Sequence, residues 1–125
     1  MAITLTRVPL TSSLDAAAEA RAILRDALRG EPQDTIDRGA ILVDEIVASA
    51  LVSVGAPVEL VLERRDDRLV VEVIDAAPLG ADPAPDRLGI ATTMLDAWAS
   101  DWGAVVQPGS TSVWFSRFCR CVALL

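Results

Sequence analysis

Residues 39–52 read GAILVDEIVASALV, a segment in which apolar side chains occupy nearly every face of a helix. A helix that is apolar all round is buried between other elements, because a helix lying half in water keeps one polar face. The flanking residues predict a helix from about Thr35 to Val54, ended by Gly55 with Pro57 beyond. We therefore expect a buried central helix against which the other elements pack.

Strands and helices are predicted on both sides of this helix. A first helix follows Ser12 and ends at Gly30, and a third spans 86–102 and ends at Gly103. Alternation of apolar residues predicts strands at 3–9, 58–63, 69–75, 104–106 and 112–118. The order β-α-α-β-β-α-β-β predicts an α/β (α+β) two-layer sandwich, with a mixed, mainly antiparallel sheet and three helices on one face.

The chain has 125 residues, which suits one domain, here 1–118 with a C-terminal extension at 119–125. Eleven arginines against eighteen acidic residues give a net charge of −7, which argues against a nucleic-acid or anionic-membrane partner. His, Lys, Asn and Tyr are absent. Their absence excludes a Ser-His-Asp triad, a His-ligated zinc, a Schiff-base lysine and the lysine of a Walker phosphate loop.

The two cysteines, Cys119 and Cys121, form neither a disulfide framework nor a zinc motif, because a metal site needs more ligands. Reduced thiols and the lack of a signal peptide predict a cytoplasmic protein. The central uncharged segment 46–58 has 13 residues, fewer than the ~18 expected of a membrane span.

Three polar features interrupt the apolar pattern. Glu45, Ser49 and Ser53 recur every four residues along the buried helix and therefore share one face. Asp75 ends a predicted strand, and Gly89 lies where the third helix begins and its backbone N–H groups can meet an anion. Each also has a structural explanation: a turn for the aspartate, an ion pair for the glutamate and close packing for the glycine.

Five segments together carry a family resemblance. They are ILVDEIVASALVS (41–53), VEVIDAAP (71–78), DRLGI (86–90), WASDWG (98–103) and GSTSVWF (109–115). In the order and spacing of these segments the chain resembles the GHKL (Bergerat-fold, histidine-kinase-like) ATP-binding domain over about residues 3–118. Within that family it is similar to the small anti-sigma-factor serine/threonine kinases of actinobacteria.

The resemblance implies roles for the polar stripe on the central helix. Glu45 matches the family glutamate, a candidate catalytic base, and four residues later the family has an asparagine that holds the magnesium ion bridging the ATP phosphates. Here that position is Ser49, a shorter side chain and a weaker metal ligand, so we expect no magnesium site. The histidine that often follows is replaced by Ser53.

The resemblance also implies nucleotide-binding positions outside this helix. Asp75 matches the aspartate that accepts a hydrogen bond from the adenine amino group, and Ala77 replaces the glycine two residues later. Gly89 is the one glycine retained from the Gly-x-Gly of the lid. Thr111 matches a strand threonine that reaches the adenine region.

These differences from the family's ATP-site motifs predict a regulatory protein that acts by binding a protein partner and binds ATP weakly or not at all. By resemblance the partner is a sigma factor or an anti-sigma-factor antagonist, and a homodimer is a further expectation. Two alternatives stay open. One is an active Mg-ATP-dependent serine/threonine kinase that uses Ser49 and a second oxygen from Glu45 or Asp44. The other is a metal-independent adenine nucleotide sensor built on Asp75, Thr111 and the Gly89 helix start.

Overall fold

Helices and strands follow one another in the predicted order. A computed structural model describes residues 3–10, 15–54, 58–65, 67–75, 90–107 and 109–118. The elements are β1 (Ile3–Pro9), α1 (Asp15–Ala27), α2 (Gln33–Val54), β2 (Val58–Arg65), β3 (Arg68–Asp75), α3 (Ile90–Trp98), β4 (Asp101–Gln107) and β5 (Ser110–Phe118).

The five strands form one sheet with the order β1-β2-β3-β5-β4. Every pairing in the described part of the chain is antiparallel, so the mixed character expected of the sheet is not seen there. The charged hairpin between β2 and β3 lies where it was predicted, with Arg65 opposite Arg68. The predicted α+β architecture of a sheet with three helices is confirmed.

The core lies between the helices and one face of the sheet. As its composition predicts, α2 is deeply buried, and Leu42 and Val43 have no exposed surface. Strand residues alternate between the core and the opposite face, because side-chain direction in a strand has a period of two. Core-facing side chains on the strands are Leu60, Leu62, Leu69, Val71, Val73, Val113 and Phe115. No helix in the described ranges, α2 with its 22 residues included, is long and apolar enough to cross a membrane.

The end of the third helix was predicted wrongly. Helix α3 ends at Trp98, and Trp102 and Gly103, expected to close the helix, belong to β4. Sheet pairing begins as soon as the helix stops, since the backbone N–H of Ser100 donates to the carbonyl of Ser116 at 2.8 Å. Tertiary pairing with β5 therefore overrides the helical spacing of the tryptophans.

Gly103 is needed because the Trp114 ring lies directly on it. A Cβ at this position would come within 2.9 Å of Trp114 Nε1. We expect Gly103→Ala to lower the free energy of unfolding by about 1–3 kcal/mol, the usual cost of overpacking. Urea denaturation measures the change, with Val105→Ala on the same strand as control, because Val105 is 44% exposed. Equal effects of both substitutions would contradict this explanation.

Candidate functional site

Asp75 and Thr111, the two residues predicted to meet an adenine ring, lie directly opposite one another on β3 and β5. Both belong to the core-facing side of the sheet and are buried, with 6% and 1% of their surface exposed. A carboxylate and a hydroxyl are thus held side by side at the end of β3. Together they can accept and donate hydrogen bonds to a planar polar ligand.

The hydroxyl of Thr111 is a buried polar group that no described residue satisfies. Its Oγ1 has no hydrogen-bond partner within the described part of the chain. Buried hydroxyls are normally hydrogen-bonded, and each exception calls for an explanation. A ligand that carries a hydrogen-bonding edge would supply the missing partner.

Replacing Thr111 tests whether its hydroxyl contributes to folding. We expect Thr111→Val to leave the free energy of unfolding unchanged or to raise it by about 1 kcal/mol, because the substitution removes an unsatisfied hydroxyl and keeps the shape. The reciprocal control is Val113→Thr, which adds a hydroxyl to a buried neighbour on the same face and should destabilise the protein. Urea denaturation of both variants measures the effects, and a clear loss of stability in Thr111→Val would contradict the prediction.

The polar stripe on α2 is partly accessible. Glu45 and Ser49 are half-buried on helix α2. Ile41, four residues before Glu45, is 41% exposed. Helix α2 packs against both β3 and α3, so it adjoins the strand that ends in Asp75. Ser49 has an interaction of its own within the protein. The stripe therefore presents an aliphatic group, a carboxylate and a hydroxyl in one row.

Asp44, the alternative metal ligand beside Glu45, is engaged elsewhere. Its carboxylate accepts a hydrogen bond from Arg21 Nη1 of α1 at 2.7 Å, and both side chains are partly exposed. This ion pair joins the two helices. Asp44 is consequently held by α1.

An arginine next to the stripe was not singled out from the sequence. The guanidinium of Arg38 lies 5.6 Å from the centre of the Trp98 ring, a cation–π distance, and its Nε is 3.3 Å from Asp34. Arg38 precedes Glu45 by seven residues, two helical turns, and so shares its side of α2. That spacing was the available signal, but the position of Trp98 depends on the packing of α3.

The pKa of one carboxyl group at the start of α2, that of Asp37, is shifted. Hydrogen bonds from Gln33 and Arg25 to Asp37 stabilise its carboxylate and lower its pKa below the ordinary aspartate value. Asp37 lies two turns before Glu45 on α2 and is not among the residues predicted for the site.

A cavity lies at the hairpin end of the sheet, away from Asp75 and Thr111. It has a volume of about 230 Å³, and its lining includes Leu69 and Arg64, which pair at the β2–β3 hairpin. Asp75 stands at the other end of β3, six strand positions from Leu69 in the eight-residue strand. Arg64 also donates to the carbonyl of Ala27 at 2.6 Å, which ties β2 to α1 beside the cavity. The cavity is separate from the predicted nucleotide positions.

Several predicted positions lie outside the described residues. They are Ala77, Gly89, Cys119, Cys121 and the side chain of Ser53. Within the described residues, no group of three or more His, Cys, Asp or Glu side chains could hold a metal ion. The donor set on α2 is a carboxylate and a hydroxyl, and magnesium is usually held by one or two such protein oxygens together with water and substrate phosphates.

Comparison with known proteins finds the same fold in a solved structure. No protein-family profile and no curated protein sequence matches the chain. The crystal structure of the RsbU and RsbW domains of Rv1364c from Mycobacterium tuberculosis is similar, with a TM-score of 0.65 and 20% sequence identity. The match covers 94% of this chain and 34% of that longer chain. At this level of identity the comparison shows the fold, and the chain therefore shares the fold of a domain in that structure.

Proposed function

We propose that this chain is a regulatory protein of the anti-sigma-factor type, which acts by binding a protein partner and binds Mg-ATP weakly or not at all. The observation that carries the proposal is Ser49. Ser49 lies on the buried helix α2. By the sequence resemblance it occupies the position of the asparagine through which the similar kinases hold magnesium. Phosphoryl transfer depends on positioning of the substrates and on neutralisation of the phosphate charge by the metal. A chain that lacks the magnesium-binding asparagine therefore loses most of its ability to catalyse this reaction.

Partner binding is supported by the fold and the resemblance together. The expected partners are a sigma factor or an anti-sigma-factor antagonist, with a homodimer as a further form. The test is to titrate the purified chain separately with a sigma factor and with an antagonist from the same genome, and to monitor binding by fluorescence anisotropy. Saturable binding without ATP supports the proposal. Transfer of phosphate from Mg-ATP to the antagonist would instead establish the kinase alternative.

A second function is favoured by the buried pair at the end of β3. The Thr111 hydroxyl lacks a partner in the described part of the chain and adjoins Asp75, as expected of a metal-independent adenine nucleotide sensor. Calorimetric titration with ADP in EDTA tests it. The sensor predicts saturable binding that Thr111→Val weakens, and no binding in EDTA would exclude it.

A further inference from the structure

The side of the sheet opposite the helices is not covered by any described helix, since α1, α2 and α3 all contribute to the core on the other side. We call this side the outer sheet face. Its middle row, across the five strands, is Arg7, Val61, Glu72, Trp114 and Gly103, and it includes the side chains two residues before and after each of these. It is a regular surface on which a partner could lie.

Apolar side chains extend across the outer sheet face from edge to edge. Leu5 on β1 is 63% exposed and Val105 on β4 is 44% exposed, and these are two of the three large apolar side chains that are exposed in the described residues. Between them Trp114 is half-buried. Leu5 and Val105 lie on opposite edge strands, and Trp114, a residue type enriched at interfaces, lies between them.

Carboxylates outnumber basic groups on this face. It carries Glu59, Glu63, Glu72 and Asp101 against Arg7, whose guanidinium is 3.3 Å from the Glu59 carboxylate. Arg65 and Arg68, which pair with each other, lie one row further out on the same face, at the hairpin. Ser112 donates to Glu72 across the β3–β5 pair. The charge that complements this surface is positive.

A buried hydroxyl belongs to the same face. Ser116, between Val70 and Asp101 in register, is 1% exposed, and its Oγ has no hydrogen-bond partner in the described residues. An unsatisfied buried hydroxyl costs free energy. Because Ser116 is almost fully buried, it lies outside the part of this face that a docked chain would contact.

We propose that the outer sheet face binds a basic amphipathic segment of a partner protein, one whose apolar side chains lie on Trp114 and the exposed edge residues and whose arginines or lysines meet the carboxylates. A second copy of this chain fits less well, because the chain carries a net charge of −7 and two such faces would oppose carboxylate to carboxylate. The inference rests on the proposed function only in that the partner is a protein.

The test uses a fluorescein-labelled 18-residue peptide with leucine on one helical face and arginine on the other, and a mirror peptide with glutamate in place of arginine. Anisotropy titration of the full chain should show saturable binding of the basic peptide alone. The variant Leu5→Arg/Glu63→Gln should weaken it about tenfold, since it removes an apolar contact and changes the charge of the face. Equal binding of both peptides, or of neither, would overturn the proposal.

The matched control places the same charge changes on the helical layer. Ala18→Arg/Glu19→Gln alters neighbouring positions of α1, of which Ala18 is exposed, and should change affinity less than about twofold. Equal weakening by both double variants would mean non-specific attraction to an acidic protein and would overturn the proposal.

Two further readouts separate the possible failures. If sigma factor or antagonist binds the chain but is unaffected by Leu5→Arg/Glu63→Gln, the outer sheet face is the wrong surface while the proposed function stands. Sedimentation equilibrium detects self-association, and a dimer broken by the same variant would replace the proposed partner with a second copy.

Discussion

Leu42→Ala is expected to lower the free energy of unfolding by about 2–5 kcal/mol. Leu42 is fully buried near the middle of α2, where that helix packs between α1, α3 and the sheet. Truncation leaves a cavity that the surrounding side chains fill only in part, and this adds to the lost transfer free energy. Such a loss is a large fraction of the stability of a domain of this size.

The preceding residue is the control for this prediction. Ile41 is also aliphatic and also on α2, but it is 41% exposed, so Ile41→Ala should cost less than about 1 kcal/mol. Urea denaturation of the two variants under the same conditions gives the comparison. Similar losses at both positions would contradict the burial of α2 and with it the two-layer fold.

Phe115→Ala should destabilise the protein by about 3–5 kcal/mol. Phe115 is 2% exposed on the core-facing side of β5, opposite Val71 on β3 and Trp102 on β4, so its ring fills the centre of the sheet's inner face. Removing an aromatic ring from such a position creates a large cavity. Thermal or urea unfolding monitored by far-UV circular dichroism measures the loss.

Trp114→Ala provides the contrast, because Trp114 is the next residue but lies half-buried on the outer sheet face. We expect a clearly smaller loss of stability than for Phe115→Ala, and a weakened affinity for the basic peptide. If Trp114→Ala were the more destabilising of the two, the register of β5 would be wrong by one residue, since such a slip exchanges the two faces.

The sequence alone predicts the elements whose signals are local. The apolar run and the residues that end it gave α2 nearly its observed bounds, and the charged segment 64–68 gave the β2–β3 hairpin. The end of α3 could not be predicted in this way. The spacing of Trp98 and Trp102 suits a helix, and pairing with β5 decides the outcome.

In the candidate site, too, the positions set by local spacing could be predicted, and those set by tertiary packing could not. The spacing of Glu45 and Ser49 places them on one helical face without further information. The juxtaposition of Asp75 and Thr111 depends on the register of β3 with β5, which brings together residues far apart in the chain. The exposure of Ile41 and the contact of Arg38 with Trp98 likewise arise from packing between helices.

The proposed function holds that this chain, which shares the fold of a domain in the Rv1364c structure, lacks a working Mg-ATP site. It is tested by thermal unfolding with millimolar ATP, once with magnesium and once with EDTA. A ligand at ~100 times its dissociation constant adds about 2.7 kcal/mol of stability, which raises the unfolding midpoint by several degrees. The proposed function predicts no rise that depends on magnesium. A magnesium-dependent rise of several degrees would contradict it.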